Sequence, residues 1–282
     1  MKNLLTLIQL ELYKIVTKPR SFIGFGAITT IVLLVQFALY IDGKTYWEFV
    51  TQSLEQTFTI NGTIFNGNLV CFIILQMLLV QMPLMIALVT GDLISGESAT
   101  GTIRLIATKP VSRAQILLAK YIAGSVYTIL LILWLGFIAY GLSLLIFGHG
   151  DLIVLKSDGL VILRDADVAW RFFAAFFVAF LSLMVVGTFS LMLSCFTDNS
   201  IGPIIITMAV IILFTIIGTF DIPIFDRIKP FLFTTHMIVW RNIFDNPIPK
   251  EQIFESVIIL LLHIAGFLGI SFYHFTRKDI QN

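Results

Sequence analysis

Few residues in this sequence are able to do chemistry, and their spacing excludes most of it. Gly96-Glu-Ser-Ala-Thr-Gly101 has the GxxxxG spacing of a phosphate-binding loop. Thr102 stands where such a loop needs Lys followed by Ser or Thr, and no strand-like run precedes it. The chain therefore carries no nucleotide site of that type, and it is not expected to be an enzyme. The histidines, His149, His236, His263 and His274, show no metal-ligand spacing. His263 falls inside a long apolar run, which makes it a candidate for a proton relay or for a hydrogen bond to a neighbouring helix. Gln36, Gln76 and Gln81 also interrupt apolar runs and either line a translocation path or bond between helices. Cys71 and Cys195 are expected near opposite faces of a bilayer, too far apart for a disulfide, which needs Cα atoms within about 7 Å. They read as small packing residues. What remains is the polar stretch 91–120, where Glu97 and Arg104 lie seven apart and so share one face of a helix. Such a pair suits contacts to a partner better than catalysis.

The elements that position these residues follow from composition. Only 12% of the 282 residues are charged and 58% are hydrophobic. A soluble domain carries about 25% charged residues and about 45–50% apolar ones. The fold class is therefore all-α, a polytopic membrane protein with six transmembrane helices, forming a single transmembrane domain over 1–282. The net charge of +1 gives no nucleic-acid signal. Spans are predicted near 21–41, 67–90, 121–147, 172–196, 201–220 and 254–275. The first contains twelve Leu, Ile, Val or Phe residues, which sum to about −5 kcal/mol on an insertion scale. Pro83 is expected to kink the second. Small residues at Ala175, Ala179, Ser190 and Ser194 give the fourth a face for close helix approach. The one acidic or basic residue inside these ranges is Glu255, at the edge of the sixth. Ion-coupled transporters usually need ionisable groups at depth.

Residues 2–18 read as an amphipathic helix at the membrane interface. Leu4, Leu5, Ile8, Leu12, Ile15 and Val16 share one face, and Pro19 closes it. An even number of spans puts both termini on one side. With the termini inside, the inner segments hold ten basic and five acidic residues, the outer ones eight and twelve, Glu255 at the outer edge of the sixth span included. The positive-inside rule therefore places both termini in the cytoplasm. Segment 42–66 and the acidic segment 148–171 are expected as outer loops. Segment 221–251 is expected to contain a short amphipathic helix, 231–244, with Trp240 and Arg241 at headgroup depth.

The long inner break is 91–120. Thr108-Lys109-Pro110 ends any helix before it, because the residue before proline avoids the helical region. Ser112-Arg-Ala-Gln115 is a capping box, so a new helix starts there and runs to Phe147. At about 1.5 Å per residue it is some 53 Å long, well beyond the bilayer's roughly 30 Å. A short helix over 96–107, weakened by Gly101, is expected to lie across the inner face. Arg104, Lys109 and Arg113 serve either docking or simple orientation toward water and anionic lipid.

Gly91-Asp92, Glu97, Gly101-Thr102-Ile103, Leu105, Lys109-Pro110-Val111-Ser112-Arg113 and Lys120 resemble the first cytoplasmic loop of ABC-2-type exporter permeases. The local likeness covers about thirty residues, and the six-span layout extends it more weakly over the whole chain. The resemblance implies the membrane-spanning subunit of a bacterial ABC exporter, located in the cytoplasmic (inner) membrane. It implies that Glu97, Gly101, Thr102, Arg104, Leu105, Pro110, Ser112 and Arg113 belong to the part that docks on a separate ATPase, with ATP and Mg bound by that partner. Two ATPase subunits and a second permease chain, identical or a paralogue, complete such an exporter. Two other readings are an ATP-independent membrane scaffold and an ion-coupled transporter using His263.

Overall fold

The structure is a computed structural model that describes residues 2–55, 65–102, 111–156, 159–220 and 222–277. Six of its helices are long and apolar enough to cross a membrane: Pro19–Gly43, Gly67–Ala99, Arg113–Phe147, Asp165–Phe196, Gly202–Thr219 and Lys250–Arg277. The chain is a multi-pass helical membrane protein. The fourth span is its centre. In the most apolar window of that helix 67% of residues are buried, against 11% in the fifth and in the sixth. The second, third, fifth and sixth spans all pack on it. Ala175 and Ala179 are buried on the fourth span, and the Ser190 hydroxyl donates to the Ala87 carbonyl of the second span at 3.3 Å. The small-residue face is where neighbouring backbones come close. Hydroxyls within the spans, such as Thr90, Thr128 and Thr207, donate to the carbonyl one turn earlier and need no water.

Several boundaries differ from the sequence expectation, each for a local reason. Lys18 alone separates the N-terminal helix Lys2–Thr17 from Pro19, and the helix from Pro19 continues to Glu55. Much of the expected first outer loop therefore extends the first span. The third span begins at Arg113 with both capping-box bonds in place: the Gln115 amide donates to Ser112 Oγ, and the Ser112 amide to Gln115 Oε1, each at 3.2 Å. It runs to Phe147 through a π-helical turn at Phe137–Gly141. The chain is not purely α-helical. Leu152–Lys156 and Gly159–Leu163 form an antiparallel hairpin, with Leu152 opposite Leu163 and Ile153 opposite Ile162. The acidic residues of 148–171 masked these two short apolar runs. Asn66 and Asn68 fasten the segment to the second span, donating to the carbonyls of Asp151 at 2.8 Å and Gly150 at 2.7 Å.

The single amphipathic helix expected over 231–244 is instead a broken series. Short helices at Pro223–Asp226 and Lys229–Phe231 bury no residue, whereas those at Phe233–Met237 and Val239–Phe244 fold into the bundle. Phe233, Trp240, Ile243 and Phe244 are buried, and Phe244 packs edge-on against Phe72 and Phe172. Of the aromatic residues in this stretch, Phe233, Trp240 and Phe244 fill protein, while Phe231 stays exposed. Buried Arg171 fixes the end of the series, donating to the carbonyls of Ile243 and Asp245 at 2.8 Å.

Candidate functional site

The N-terminal helix packs on the third span through the face that holds Glu11 and Ile15, both buried. Glu11 and Lys14 are three apart and therefore neighbours on that helix. The second span does not stop at Thr90. After Gly91 it continues as the helix Asp92–Ala99, tucked against the fourth span. The amides of Ile94 and Ser95 donate to Ser194 Oγ at 3.2 and 2.8 Å, so the fourth span caps a first turn whose amides otherwise lack partners. This brings Glu97 beneath Lys120 of the third span.

Four charges then close a ring. Lys14 Nζ lies 2.7 Å from Glu11 Oε1 and 2.7 Å from Glu97 Oε1. Lys120 Nζ lies 3.0 Å from Glu11 Oε2 and 2.8 Å from Glu97 Oε2. The Lys120–Glu97 contact is an ion pair and not an aligned hydrogen bond. Lys120 is fully buried, whereas the Lys14 side chain is 37% exposed. Burial alone would lower the Lys14 pKa, but Glu11 and Glu97 outweigh it and hold the ammonium above its ordinary range. The ring is electrically neutral and joins three separate elements.

Beside it, Asp92 accepts Lys18 at 2.9 Å, Arg20 at 2.7 Å and the Ser200 hydroxyl. It ties the hinge between the N-terminal helix and the first span to the turn between the fourth and fifth. Gly96 is needed here, because a Cβ at that position would run into the Asp92 carboxylate. Arg113 donates to the Thr276 carbonyl at 3.4 Å, so the end of the sixth span meets the start of the third. The N-terminal helix, the loop helix, the third span's start and the sixth span's end thus share one end of the bundle.

The structure places the residues singled out in the sequence as follows. Glu97 is buried in the ring, not displayed on an outer face. Gly101 sits at φ +71°, a left-handed conformation suited to glycine, just past the helix Asp92–Ala99, and the part of the expected 96–107 helix beyond Thr102 lies outside the described residues. Thr102 is exposed, and its hydroxyl donates to the Glu97 carbonyl at 3.3 Å. Ser112 is exposed at the cap. Arg104, Leu105 and Pro110 lie outside the described residues.

The path candidates part company. Gln36 is buried and donates to the Ile138 carbonyl at 3.0 Å and to Ser143 Oγ at 2.9 Å. It bonds between helices, at the turn where the π-helical step disturbs the regular ladder. Gln76 lines a cavity, and Gln81 is exposed. His263 Nδ1 donates to the Ile259 carbonyl at 2.8 Å, with its ring between Phe233 and Phe267. Cys71 and Cys195 are both buried, and neither is in a disulfide.

Sequence reasoning missed Glu11, Lys14, Lys18 and Arg20 as site residues. The available signal was Glu11 itself, which falls on the apolar stripe between Ile8 and Ile15. A carboxylate there is kept only with a partner.

The chain belongs to DUF2705, described as a protein of unknown function, with the match covering residues 27–281. It is also similar to the uncharacterized protein YhcI of Bacillus subtilis (strain 168). The two are 26% identical over 246 residues, which covers 85% of this chain and 71% of that protein.

Proposed function

We propose that this chain is the permease subunit of an ATP-driven exporter of the ABC-2 type, in the cytoplasmic membrane of a bacterium. The observation that carries the reading is the ring of Glu11, Lys14, Glu97 and Lys120. An ATPase that closes on nucleotide moves a membrane helix only through a stiff contact. The ring locks the N-terminal helix and the loop helix onto the third span, a helix of 35 residues and so longer than a bilayer is thick. Force applied at the loop therefore reaches the third and, through Ser194, the fourth span. The resemblance of 91–120 to the exporter loop and the YhcI relative's bacterial source agree with this reading.

In this account Glu97 acts inside the lever, while Thr102, Arg104, Leu105, Pro110, Ser112 and Arg113 belong to the segment that meets the ATPase. The termini and the loop face the cytoplasm, as the charge balance requires. Leu5, Leu10 and Val16, exposed on the N-terminal helix, give it an apolar surface at the membrane interface. The sparsely buried fifth and sixth spans leave apolar surface for lipid and for a second permease chain. ATP and Mg belong to the partner ATPase.

Site-specific photo-crosslinking tests this. A photoreactive residue at exposed Thr102 should capture a soluble nucleotide-binding protein in native membranes, and one at exposed Leu145 on the opposite end should not. Equal capture at both positions, or none at Thr102, rejects the docking surface.

A further inference from the structure

A cavity of about 180 Å³ lies between the second, fourth and fifth spans and the short helices over 233–244. The coupling lever makes no use of it. One part of its lining is polar and unsatisfied. Thr234 is 8% exposed and its hydroxyl has no hydrogen-bond partner. Thr235 Oγ1 and Arg241 Nε are buried without partners as well. Among the described residues no carboxylate neutralises Arg241, whose guanidinium lies 5.7 Å from the Trp240 ring centroid. Burial holds the Arg241 pKa below its ordinary range. Buried donors are nearly always satisfied in proteins, so three orphans around one space point to something that accepts from them. The rest of the lining is apolar, with Leu183 and Phe214 inside and Val80 and Ile238, 61% and 52% exposed, at the rim. A water cluster would satisfy the donors but not the uncompensated charge.

We propose that this cavity binds a phosphate-bearing amphiphile, with the phosphate accepting hydrogen bonds from Arg241, Thr234 and Thr235 and the alkyl chain leaving past Val80. The donor set fits an anion, and the apolar walls fit a chain that comes from the bilayer. The same chemistry is met by a resident phospholipid and by a diffusible amphiphile. The site stands on this chain alone and does not depend on the exporter reading.

The test uses the full-length chain in a neutral detergent, with whatever co-purifies, titrated with dodecyl phosphate and followed by its unfolding midpoint. Dodecanol supplies the tail alone and inorganic phosphate the headgroup alone. Dodecyl phosphate is expected to raise the midpoint saturably. Arg241→Gln should weaken half-saturation by about tenfold or more, as loss of a charge-assisted hydrogen bond predicts. Thr235→Val should weaken it by about threefold to tenfold and guards against a folding failure of the arginine variant. An equal response to dodecanol, or half-saturation unchanged in both variants, overturns the site. Saturation by inorganic phosphate alone overturns the amphiphile. Native mass spectrometry from phosphatidylglycerol nanodiscs then separates the sources. One retained lipid that Arg241→Gln releases identifies a resident phospholipid. Dodecyl phosphate binding with no retained lipid identifies a diffusible ligand. Observing neither a retained lipid nor dodecyl phosphate binding overturns the proposal.

Discussion

Replacing Lys120 by Met keeps most of the side-chain volume and removes the charge at the centre of the ring. Its ammonium lies 3.0 Å from Glu11 and 2.8 Å from Glu97, fully buried. At an effective dielectric near 20, each attraction is worth about 6 kcal/mol. The variant leaves two buried carboxylates facing a single half-exposed lysine, but it need not bear the whole of that loss. One carboxylate can take up a proton. At pH 7.5, protonating a glutamate of ordinary pKa costs about 4 kcal/mol, at roughly 1.36 kcal/mol per pH unit. Proton uptake therefore sets a ceiling of about 4 kcal/mol, in line with the roughly 3–5 kcal/mol for breaking a buried pair. At about 2–4 °C per kcal/mol, the unfolding midpoint should fall by about 10 °C. The ceiling drops with acid, to about 1.6 kcal/mol at pH 5.5, so the gap to wild type should narrow by more than half. Adding Glu97→Gln removes the surplus carboxylate and should recover about 2 kcal/mol or more. Thermal unfolding in detergent at the two pH values measures wild type, Lys120→Met, Glu97→Gln and the double variant. A gap under about 1 kcal/mol, a gap unchanged by acid, or a double variant as unstable as the sum of the singles would refute the ring.

Four further outcomes follow from the same geometry. Ser112→Ala removes the capping box of the third span and should cost about 1 kcal/mol, read as a drop of about 2–4 °C in the unfolding midpoint. Gly96→Ala should destabilise by about 1–3 kcal/mol because the Asp92 carboxylate is held by Lys18, Arg20 and Ser200 and cannot give way. Gly26→Ala, where a Cβ meets nothing within 4 Å, should be neutral or stabilising, and comparison of the two midpoints checks the contact. The Lys14 pKa is raised in the folded chain, so its contribution is fully present below the ordinary 10.5 and disappears as pH rises through the higher folded value. The midpoint difference between wild type and Lys14→Met should hold steady from pH 8 to 10 and close only above that.

The spans, the over-long third helix and its start at Ser112 were legible in the sequence because each rests on local chemistry: apolar run length, a proline stop and a capping box. The ring was legible only in fragments. Glu11 broke an apolar stripe and Lys120 stood near a span boundary, but their meeting with Glu97 depends on the second span continuing through Gly91 as a buried helix. That continuation is a tertiary matter, settled by Ser194 from a helix a hundred residues away. Gly101 shows the same limit. Its glycine identity signalled a weak helix, and only the fold shows a left-handed turn that ends one. The broken helices over 223–244 were misread because aromatic residues suit a membrane surface and a protein core equally well until the packing partners Phe72 and Phe172 are known.

The most direct measurement is a mild-detergent pull-down of the tagged chain from its native membrane, with every co-purifying protein identified, beside the same preparation of an Arg104→Glu variant. The exporter account predicts a stoichiometric soluble partner with a Walker A motif, bound to wild type and depleted with the variant. A chain that purifies without any ATPase, or an ATPase held equally by both preparations, would contradict it.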